Sequence, residues 1–263
     1  MLDFPMRADQ YLTTHGHYDS RARAQAAIKA GLVTVNGEVL KKSSVKIREG
    51  AVVVAAHEHP WVSRGGIKLA HALEVFGVDP AGRTALDVGS STGGFSHVLL
   101  TKGIDKVYAV DVGHGQLHTS LHDEPKIISM ESQDARTLAA EDFDPIPDLI
   151  VCDASFISAM KVLETPLSFA ALGAELITLV KPQFEVGKIN LGRGGIVKSE
   201  ELGLRALDIV RHWMQEQGWK TLATIVSPIK GGSGNTEYLL HAVRKDGLPK
   251  VKTPPSRQGF EDT

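Results

Sequence analysis

Hydrophobic and polar positions divide the chain into two stretches with different patterns. Residues 1–57 contain a helical pattern in RARAQAAIKAG, which Ser20 can cap, and then short alternating strands around the Asn36-Gly37 turn and in AVVVA. From Gly66 onward, apolar runs of strand length alternate with helical patterns. Because this alternation produces parallel strands with helices on both faces, the second stretch predicts an α/β domain of Rossmann-like architecture.

Seven strands are predicted in the second stretch, at 84–88, 106–111, 126–129, 148–152, 174–180, 221–228 and 238–243. Helical patterns cover 67–76, 94–102, 158–171 and 200–217. The last two strands have no helical pattern between them, so we expect one antiparallel pair in a mostly parallel, seven-stranded sheet.

The same patterns predict where the domains begin and end. We expect a small α+β domain over 1–57, a linker over 58–62, in which Pro60 resists helix, and a larger α/β domain over 63–245. Residues 246–263 are polar and contain three prolines, which predicts a flexible tail.

Charge is distributed unevenly between these domains. The net charge of the chain is −2, but residues 1–57 hold eight Lys and Arg against five Asp and Glu. The remainder therefore carries a net charge of −5 against +3 for the small domain. A basic small domain joined to an acidic large domain predicts that contact with a polyanion such as RNA begins at the small domain. The candidate contacts are Arg7, Arg21, Arg23, Lys29, Lys41 and Lys42.

Cysteine content and hydropathy indicate the compartment. Cys152 is the single cysteine of the chain, so neither an internal disulfide nor a multi-cysteine metal site can form. The N-terminus lacks the pattern of a signal peptide, and the most apolar stretch, 167–180, is too short to span a bilayer. We therefore expect a protein of the reducing cytoplasm that is not inserted in a membrane.

A glycine-rich turn follows the first strand of the large domain, in TALDVGSSTGGFSHVLL. Glycines at this position allow the backbone to approach a ligand, and the helix that follows offers free N–H groups. Asp111 ends the next strand, where a carboxylate can accept a hydrogen bond from a ribose hydroxyl. The turn lacks the G-x-G-x-x-G spacing of dinucleotide-binding proteins, which favours S-adenosylmethionine over NAD. A tight turn without a ligand is the alternative.

Asp134, after the third strand, is a candidate for binding the adenine amino group, although a helix cap before Ala135-Arg136 explains it equally well. The complete set of cofactor-binding candidates is Asp87, Gly89, Ser90, Ser91, Thr92, Gly93, Gly94, Phe95, Asp111, Val112, Asp134, Ala135 and Asp153.

Charged residues also occur where strands of the large domain begin or end. Asp153 follows DLIVC, Lys181 follows ELITLV, and Glu237 precedes the last strand. Because the carboxyl ends of parallel strands face the ligand crevice, we expect Asp153 and Lys181 to converge there, with Lys68 of the preceding helix close by. Taken singly, each lysine could be a solvated surface residue and Glu237 an edge-strand charge.

The motifs together resemble a known family. RADQYL and SRARAQAAIKAGLVTVNG resemble an S4-type RNA-binding domain. VSRGGIKL, LDVGSSTGGFSHVLL, YAVDVGHGQL, CDASFIS, LVKPQFE and GNTEYLL resemble TlyA-type ribose 2′-O-methyltransferases, historically called hemolysin A, which have an FtsJ-like catalytic domain. The match covers nearly all of residues 6–244 in order. His97 stands where an acidic residue is frequent in this family, and His122 stands where a basic residue is common.

The resemblance implies S-adenosylmethionine as cofactor, a cytidine in ribosomal RNA as target and a catalytic tetrad of Lys68, Asp153, Lys181 and Glu237. Ribosomal RNA or ribosomal subunits would then be the partners. Lys181 is the candidate that activates the ribose hydroxyl, either as a base, if burial and the Lys68 cation lower its pKa, or as a group that holds the hydroxyl in place.

Two other functions remain open from the residues alone, an RNA-binding assembly factor without catalysis and a cytolysin. A third, a Rossmann dehydrogenase, is disfavoured because the turn lacks the G-x-G-x-x-G spacing. His114, His118 and His122 would share a helix face if that stretch were helical, but no acidic partner is evident, so we expect no metal site.

Overall fold

A computed structural model of the protein describes residues 4–18, 20–56 and 59–245. The chain divides into two compact units, Met1–Pro60 and Trp61–Thr263. The predicted tail over 246–263 lies outside the described residues.

In its described residues, 4–18, 20–56 and 59–60, the small unit contains two helices and five short strands. In chain order these are β1 (Met6–Arg7), α1 (Ala8–Thr14), α2 (Arg21–Lys29), β2 (Val33–Val35), β3 (Glu38–Val39), β4 (Lys46–Ile47) and β5 (Val53–Ala55). Ser20 caps α2 by accepting a hydrogen bond from the backbone N–H of Arg23, as predicted. β2 pairs antiparallel with β3 and with β5, while β1 pairs with β4. The buried side chains of Leu12, Ile28 and Ile47 fill the core between helices and strands.

The large unit follows the predicted alternation. Its elements are α3 (Gly65–Phe76), β6 (Thr84–Val88), α4 (Gly94–Thr101), β7 (Lys106–Asp111), β8 (Ile127–Glu131), β9 (Leu149–Cys152), α5 (Ala159–Phe169), β10 (Glu175–Val180), α6 (Pro182–Glu185), α7 (Glu200–Glu216), β11 (Trp219–Val226) and β12 (Tyr238–Arg244).

These seven strands form one sheet in the order β11-β12-β10-β9-β6-β7-β8. The strands from β10 through β8 are parallel, and β12 lies between β10 and β11, antiparallel to both. The predicted α/β class, with a mostly parallel seven-stranded sheet, is confirmed. The antiparallel pair at the end is also confirmed, with β12 inserted into the sheet.

Two apolar layers cover the faces of this sheet. On one face Leu69 of α3 and Leu99 of α4 belong to the same buried cluster, and on the other Leu163 of α5 and Val210 of α7 do. All four residues of β9 and all five of β6 are buried. Because both faces of the central strands are occupied, a ligand can reach them only at their ends.

The segment from His114 to His122 is not a continuous helix. A single 3₁₀ turn covers Thr119–Leu121, with His118 before it and His122 after it. The three histidines therefore do not share a helix face, because the regular spacing that would align them exists only within a helix. In the part of the chain that the structure describes, no helix has the length and apolar character needed to cross a bilayer.

Candidate active site

The central crevice lies where the order of the sheet reverses. β6 and β9 are neighbours, but the chain continues from β6 to β7 on one side and from β9 to β10 on the other. Open α/β sheets bind ligands at this switch point, outside the carboxyl ends of the strands. A cavity of about 200 Å³ is present there, lined by Ser63, Asp87, Gly89, Ser90, Ser91, Thr92, Gly94, Phe95, Asp153 and Ser155.

Glycine is required at the beginning of the turn after β6. Gly89 has a φ of +77°, and a Cβ at this position would lie 2.8 Å from the Cα of Ala154. Gly93, with a φ of +84°, is the N-cap of α4. The backbone therefore passes close to the loop after β9 and leaves the cavity open beside it, which a side chain would prevent.

Asp87 is the most deeply buried acid of the crevice. Its Oδ2 accepts hydrogen bonds from the backbone N–H and the hydroxyl of Ser96, at 3.0 and 2.7 Å. Its Oδ1 is buried without a hydrogen-bond partner in the described part of the chain. Burial raises the pKa of Asp87 to about 7, and the Asp153 carboxylate adds to the effect. A buried carboxylate oxygen beside a cavity fits a cationic or hydrogen-bond-donating group of a ligand.

The other acids predicted to bind cofactor make local contacts. Asp111 accepts hydrogen bonds from the backbone N–H groups of Ser91, at 2.9 Å, and Gly113, at 2.7 Å, and so ties the glycine turn to the end of β7. Asp134 caps the 3₁₀ turn Ala135–Thr137 and forms an ion pair with Arg136. These contacts correspond to the alternative role of Asp134 as a helix cap. Eight of the thirteen predicted cofactor residues line the cavity; Gly93, Asp111, Val112, Asp134 and Ala135 do not.

The four residues of the predicted tetrad lie together. Lys68 Nζ is 2.8 Å from Glu237 Oε2 and 3.6 Å from Asp153 Oδ1, and Lys181 Nζ is 2.7 Å from the same Asp153 oxygen. Lys68, Lys181 and Glu237 are buried, whereas the Asp153 side chain is 20% exposed and lines the cavity. The result is a chain of alternating charge, Glu237–Lys68–Asp153–Lys181, in which each buried charge has an opposite neighbour.

Lys181 follows β10 directly and is the N-cap residue of α6. Its ammonium group donates to the Asp153 carbonyl at 2.9 Å and to the Ser155 hydroxyl at 2.7 Å, and it forms an ion pair with Asp153 Oδ1. Two hydrogen bonds and one ion pair thus fix the position of Nζ beside the cavity.

Residues that the sequence reasoning did not select also contribute to the crevice. Ser155 both lines the cavity and accepts from Lys181. Phe156 adopts a left-handed φ of +66°, the residue is 92% exposed, and its ring lies 5.6 Å from that of the half-buried Phe184. An exposed aromatic ring supported by a second one is suited to stacking on a nucleic-acid base. The position of each phenylalanine three residues after a charged strand end was the available signal.

The six basic candidates of the small unit are all exposed. Arg7 and Arg21 both reach the carboxylate of Asp9. Arg23 and Lys29 lie on α2, and Lys41 and Lys42 follow β3. Asp9 was not selected from the sequence; its position two residues after Arg7 was the available signal.

Across residues 4–18, 20–56 and 59–245, no group of three or more His, Cys, Asp or Glu side chains is arranged to hold a metal ion.

A Rossmann-like sheet with a glycine turn, a buried acid at the first strand end and a Lys–Asp–Lys–Glu cluster at the crevice defines a methyltransferase of class I. The model of the FtsJ-like methyltransferase family matches residues 61–244, and that of the S4 domain matches residues 6–53. The chain belongs to the FtsJ-like methyltransferase family and, within it, to the TlyA type that also carries an S4 domain.

Individual relatives agree with this assignment. The chain is 42% identical to the 16S/23S rRNA (cytidine-2'-O)-methyltransferase TlyA of Mycobacterium tuberculosis, over 89% of this chain and 88% of that protein. It is 39% identical to Hemolysin A of Brachyspira hyodysenteriae, over 90% of this chain and all of the other. A solved structure from Streptococcus thermophilus, described as a "putative hemolysin", is 36% identical, with a TM-score of 0.73 over 92% of this chain and 89% of that one. Hemolysin is thus a second name for the same family.

Proposed function

We propose that this protein transfers a methyl group from S-adenosylmethionine to the ribose 2′-hydroxyl of a cytidine in ribosomal RNA. The observation that carries the proposal is the contact chain Glu237–Lys68–Asp153–Lys181 beside the glycine-lined cavity. The rRNA cytidine activity named for the M. tuberculosis relative, at 42% identity over most of both chains, supports the choice of substrate.

S-adenosylmethionine fits the residues that are present in the crevice. The unpartnered Oδ1 of Asp87 is suited to the ammonium group of the cofactor, and the glycine turn from Gly89 to Gly94 leaves room for its backbone contacts. Asp111, already held by two N–H groups, would accept from the ribose hydroxyls of the cofactor, with Val112 beside it. Asp134 and Ala135 would meet the adenine. When bound, the cofactor supplies a methyl group that is activated by the positive sulfur.

The tetrad aligns the acceptor hydroxyl with that methyl group. Lys181, fixed by two hydrogen bonds and an ion pair, would hold the 2′-oxygen and stabilise the negative charge that develops as the hydroxyl proton passes to the Asp153 carboxylate, which lines the cavity. Asp153 positions Lys181, and Glu237 positions Lys68, whose charge in turn holds Asp153. We assign Lys181 the positioning role, since its ammonium group is held by two hydrogen bonds and by the ion pair with Asp153.

The RNA would be held by both domains. We propose the division into an RNA-binding domain over 1–57, a linker over 58–62 and a methyltransferase domain over 63–245. Arg7, Arg21, Arg23, Lys29, Lys41 and Lys42 would contact backbone phosphates, and Phe156 would stack on a base. The partners are then ribosomal RNA or ribosomal subunits, which places the reaction in the cytoplasm.

The test is methyl transfer from isotopically labelled S-adenosylmethionine to ribosomal RNA and subunits from cells that lack the modification, followed by mapping of the labelled nucleotide. We expect label on a cytidine, with resistance of the adjacent phosphodiester bond to alkaline hydrolysis, because a methylated 2′-oxygen cannot attack the phosphate. Label on a base instead would overturn the proposed acceptor. Tight RNA binding without any transfer would identify a non-catalytic assembly factor.

A further inference from the structure

Asp9, in the first turn of α1, is a fully buried acid outside the catalytic crevice. Arg7 donates to both of its oxygens, from Nε to Oδ1 at 3.1 Å and from Nη2 to Oδ2 at 3.2 Å. Arg21 Nη2 donates to the same Oδ2 at 2.8 Å. Two guanidinium groups that are far apart in sequence are therefore adjacent, because one carboxylate oxygen accepts from both.

The remaining acceptor capacity of Asp9 is also filled. Gln25 Nε2 donates to Oδ2 at 2.7 Å, and the backbone N–H of Gln10 donates to Oδ1 at 3.1 Å. Removing a carboxylate from water is costly unless its charge is paired and hydrogen-bonded, and here it is. The arginine and glutamine contacts hold the pKa of Asp9 well below its usual range, against the opposing effect of burial.

The two arginines are partly exposed to solvent, whereas the carboxylate that they contact is not. The side chains of Arg7 and Arg21 are 44% and 58% exposed, whereas that of Asp9 is 0% exposed. Among the residues that the structure describes, Asp9 is the acceptor for both guanidinium groups, so Nη1 of each and Nε of Arg21 remain available to a ligand. The cluster has a net charge of +1, and it presents only donors to the outside.

We propose that Asp9 is a positioning residue that fixes Arg7 and Arg21 as a clamp for a single backbone phosphate of RNA. Guanidinium groups bind phosphate oxygens with paired N–H bonds, and they lose less on binding when their geometry is set beforehand. Without Asp9, the two like charges would repel each other and separate. The inference rests on the proposed function for its ligand, RNA, and it adds the residue that organises the contact.

The test compares full-length variants for binding to in vitro transcribed ribosomal RNA. Asp9→Asn keeps the shape of the side chain but removes its charge, and we expect RNA affinity to fall about tenfold, the factor expected for loss of one charge-assisted contact. In methyl transfer, KM for RNA rises while kcat and cofactor affinity stay unchanged. The matched control is Arg48→Ala, which removes another exposed positive charge from the small unit and changes RNA affinity less than about twofold.

A double-mutant comparison separates positioning from general stabilisation. If Asp9 acts through the arginines, adding Asp9→Asn to the Arg7→Ala/Arg21→Ala variant weakens RNA binding no further. An equal loss in both backgrounds, or native affinity of Asp9→Asn, overturns the proposal. Should Asp9→Asn unfold the small unit in a thermal melt, the RNA affinity of the variant Arg7→Lys/Arg21→Lys tests the clamp instead. This variant retains both charges without the planar fork, so weakened binding supports the clamp and native affinity contradicts it.

The binding measurement is independent of the proposed reaction. If the wild-type protein binds RNA through the clamp but transfers no methyl group, the proposed function fails and the clamp stands. If transfer occurs and Asp9→Asn leaves both RNA affinity and KM unchanged, the clamp fails and the proposed function stands.

Discussion

Lys181 is the residue whose replacement tests the reaction most directly. We expect Lys181→Ala to lower kcat by at least about 100-fold, the lower end of what a positioned catalytic group contributes. Cofactor affinity should stay nearly native, because Lys181 is not among the residues that line the cavity. Single-turnover methyl transfer and calorimetric titration with cofactor measure the two effects, and substantial residual turnover would refute the assignment.

Lys181→Arg distinguishes the two roles that Lys181 could have. An arginine keeps a positive charge and several donors but cannot accept a proton at neutral pH. Because we assign Lys181 to positioning, we expect Lys181→Arg to retain measurably more activity than Lys181→Ala. Equal inactivity of the two variants would instead favour a neutral lysine that acts as the base.

Asp87 makes stability depend on pH in an unusual direction. Its pKa is raised from 3.8 to about 7 in the folded protein, so the folded state holds an extra proton between these values. The contribution of Asp87 to the free energy of unfolding of the cofactor-free protein therefore falls as pH rises through this window and is constant above it. Relative to wild type, Asp87→Asn should gain about 1.4 kcal/mol for each pH unit within the window.

Urea unfolding of the cofactor-free protein at about pH 5, 6 and 8 measures this difference between the two proteins. Asp208→Asn is the control, since the Asp208 side chain is 71% exposed and its replacement should shift all three values alike. If Asp87→Asn and wild type differ by the same amount at every pH, the raised pKa of Asp87 is wrong.

The tetrad as a set was implied by the family resemblance, while the apolar pattern by itself placed three of its members next to predicted strands and Lys68 within a predicted helix. Lys181 and Asp153 follow β10 and β9, whose ends converge in any parallel sheet. The partners of these residues could not be predicted in the same way. The bond from Lys181 to Ser155, and the pairing of Arg21 with Asp9, depend on loop conformation and on tertiary packing that no periodicity records.

At the scale of elements, the turn between β6 and α4 determines whether the cavity exists. We expect Gly89→Ala to lower cofactor affinity at least about tenfold, because the added Cβ would lie 2.8 Å from the Ala154 backbone and displace the loop after β9. The matched control is Gly173→Ala. Gly173 has a similar φ of +74° but open space around its Cβ position, so it shares the backbone strain without the steric contact.

The comparison of these two variants separates the causes. Both should lose stability in urea unfolding from the positive φ, but only Gly89→Ala should lose cofactor affinity in a calorimetric titration. Equal cofactor affinity in the two variants would show that the close approach to Ala154 is unimportant.

Long amphipathic helices and buried strands were predicted within a residue or two, because their apolar spacing extends over several turns or a whole strand. The short helices were not predicted. α1 has seven residues, too few for a clear period, and α6 has four. Between β8 and β9 the chain forms only 3₁₀ turns, so no helix covers that crossover. The position of β12 inside the sheet depends on pairing with β10, which is a long-range contact.

At the scale of the whole molecule, the two units have opposite net charge and are proposed to have different tasks. The acidic unit holds the crevice for a small cofactor, and the basic unit supplies the six candidate phosphate contacts. Affinity for a phosphate backbone comes largely from the release of counterions, whereas a buried cofactor site is shielded from salt. The two binding reactions should therefore respond differently to ionic strength.

We expect RNA affinity to fall steeply with salt while cofactor affinity changes little. If Arg7 and Arg21 share one phosphate and the other four basic residues each neutralise one more on a single-stranded segment, the logarithm of the binding constant falls with the logarithm of salt concentration with a slope of about −3.5. Arg7→Ala/Arg21→Ala should reduce this slope by about 0.7, one phosphate fewer, and leave the cofactor titration unchanged. Fluorescence anisotropy between about 50 and 200 mM salt measures the slopes. A slope that is the same in wild type and variant would show that these two arginines do not contact the RNA backbone.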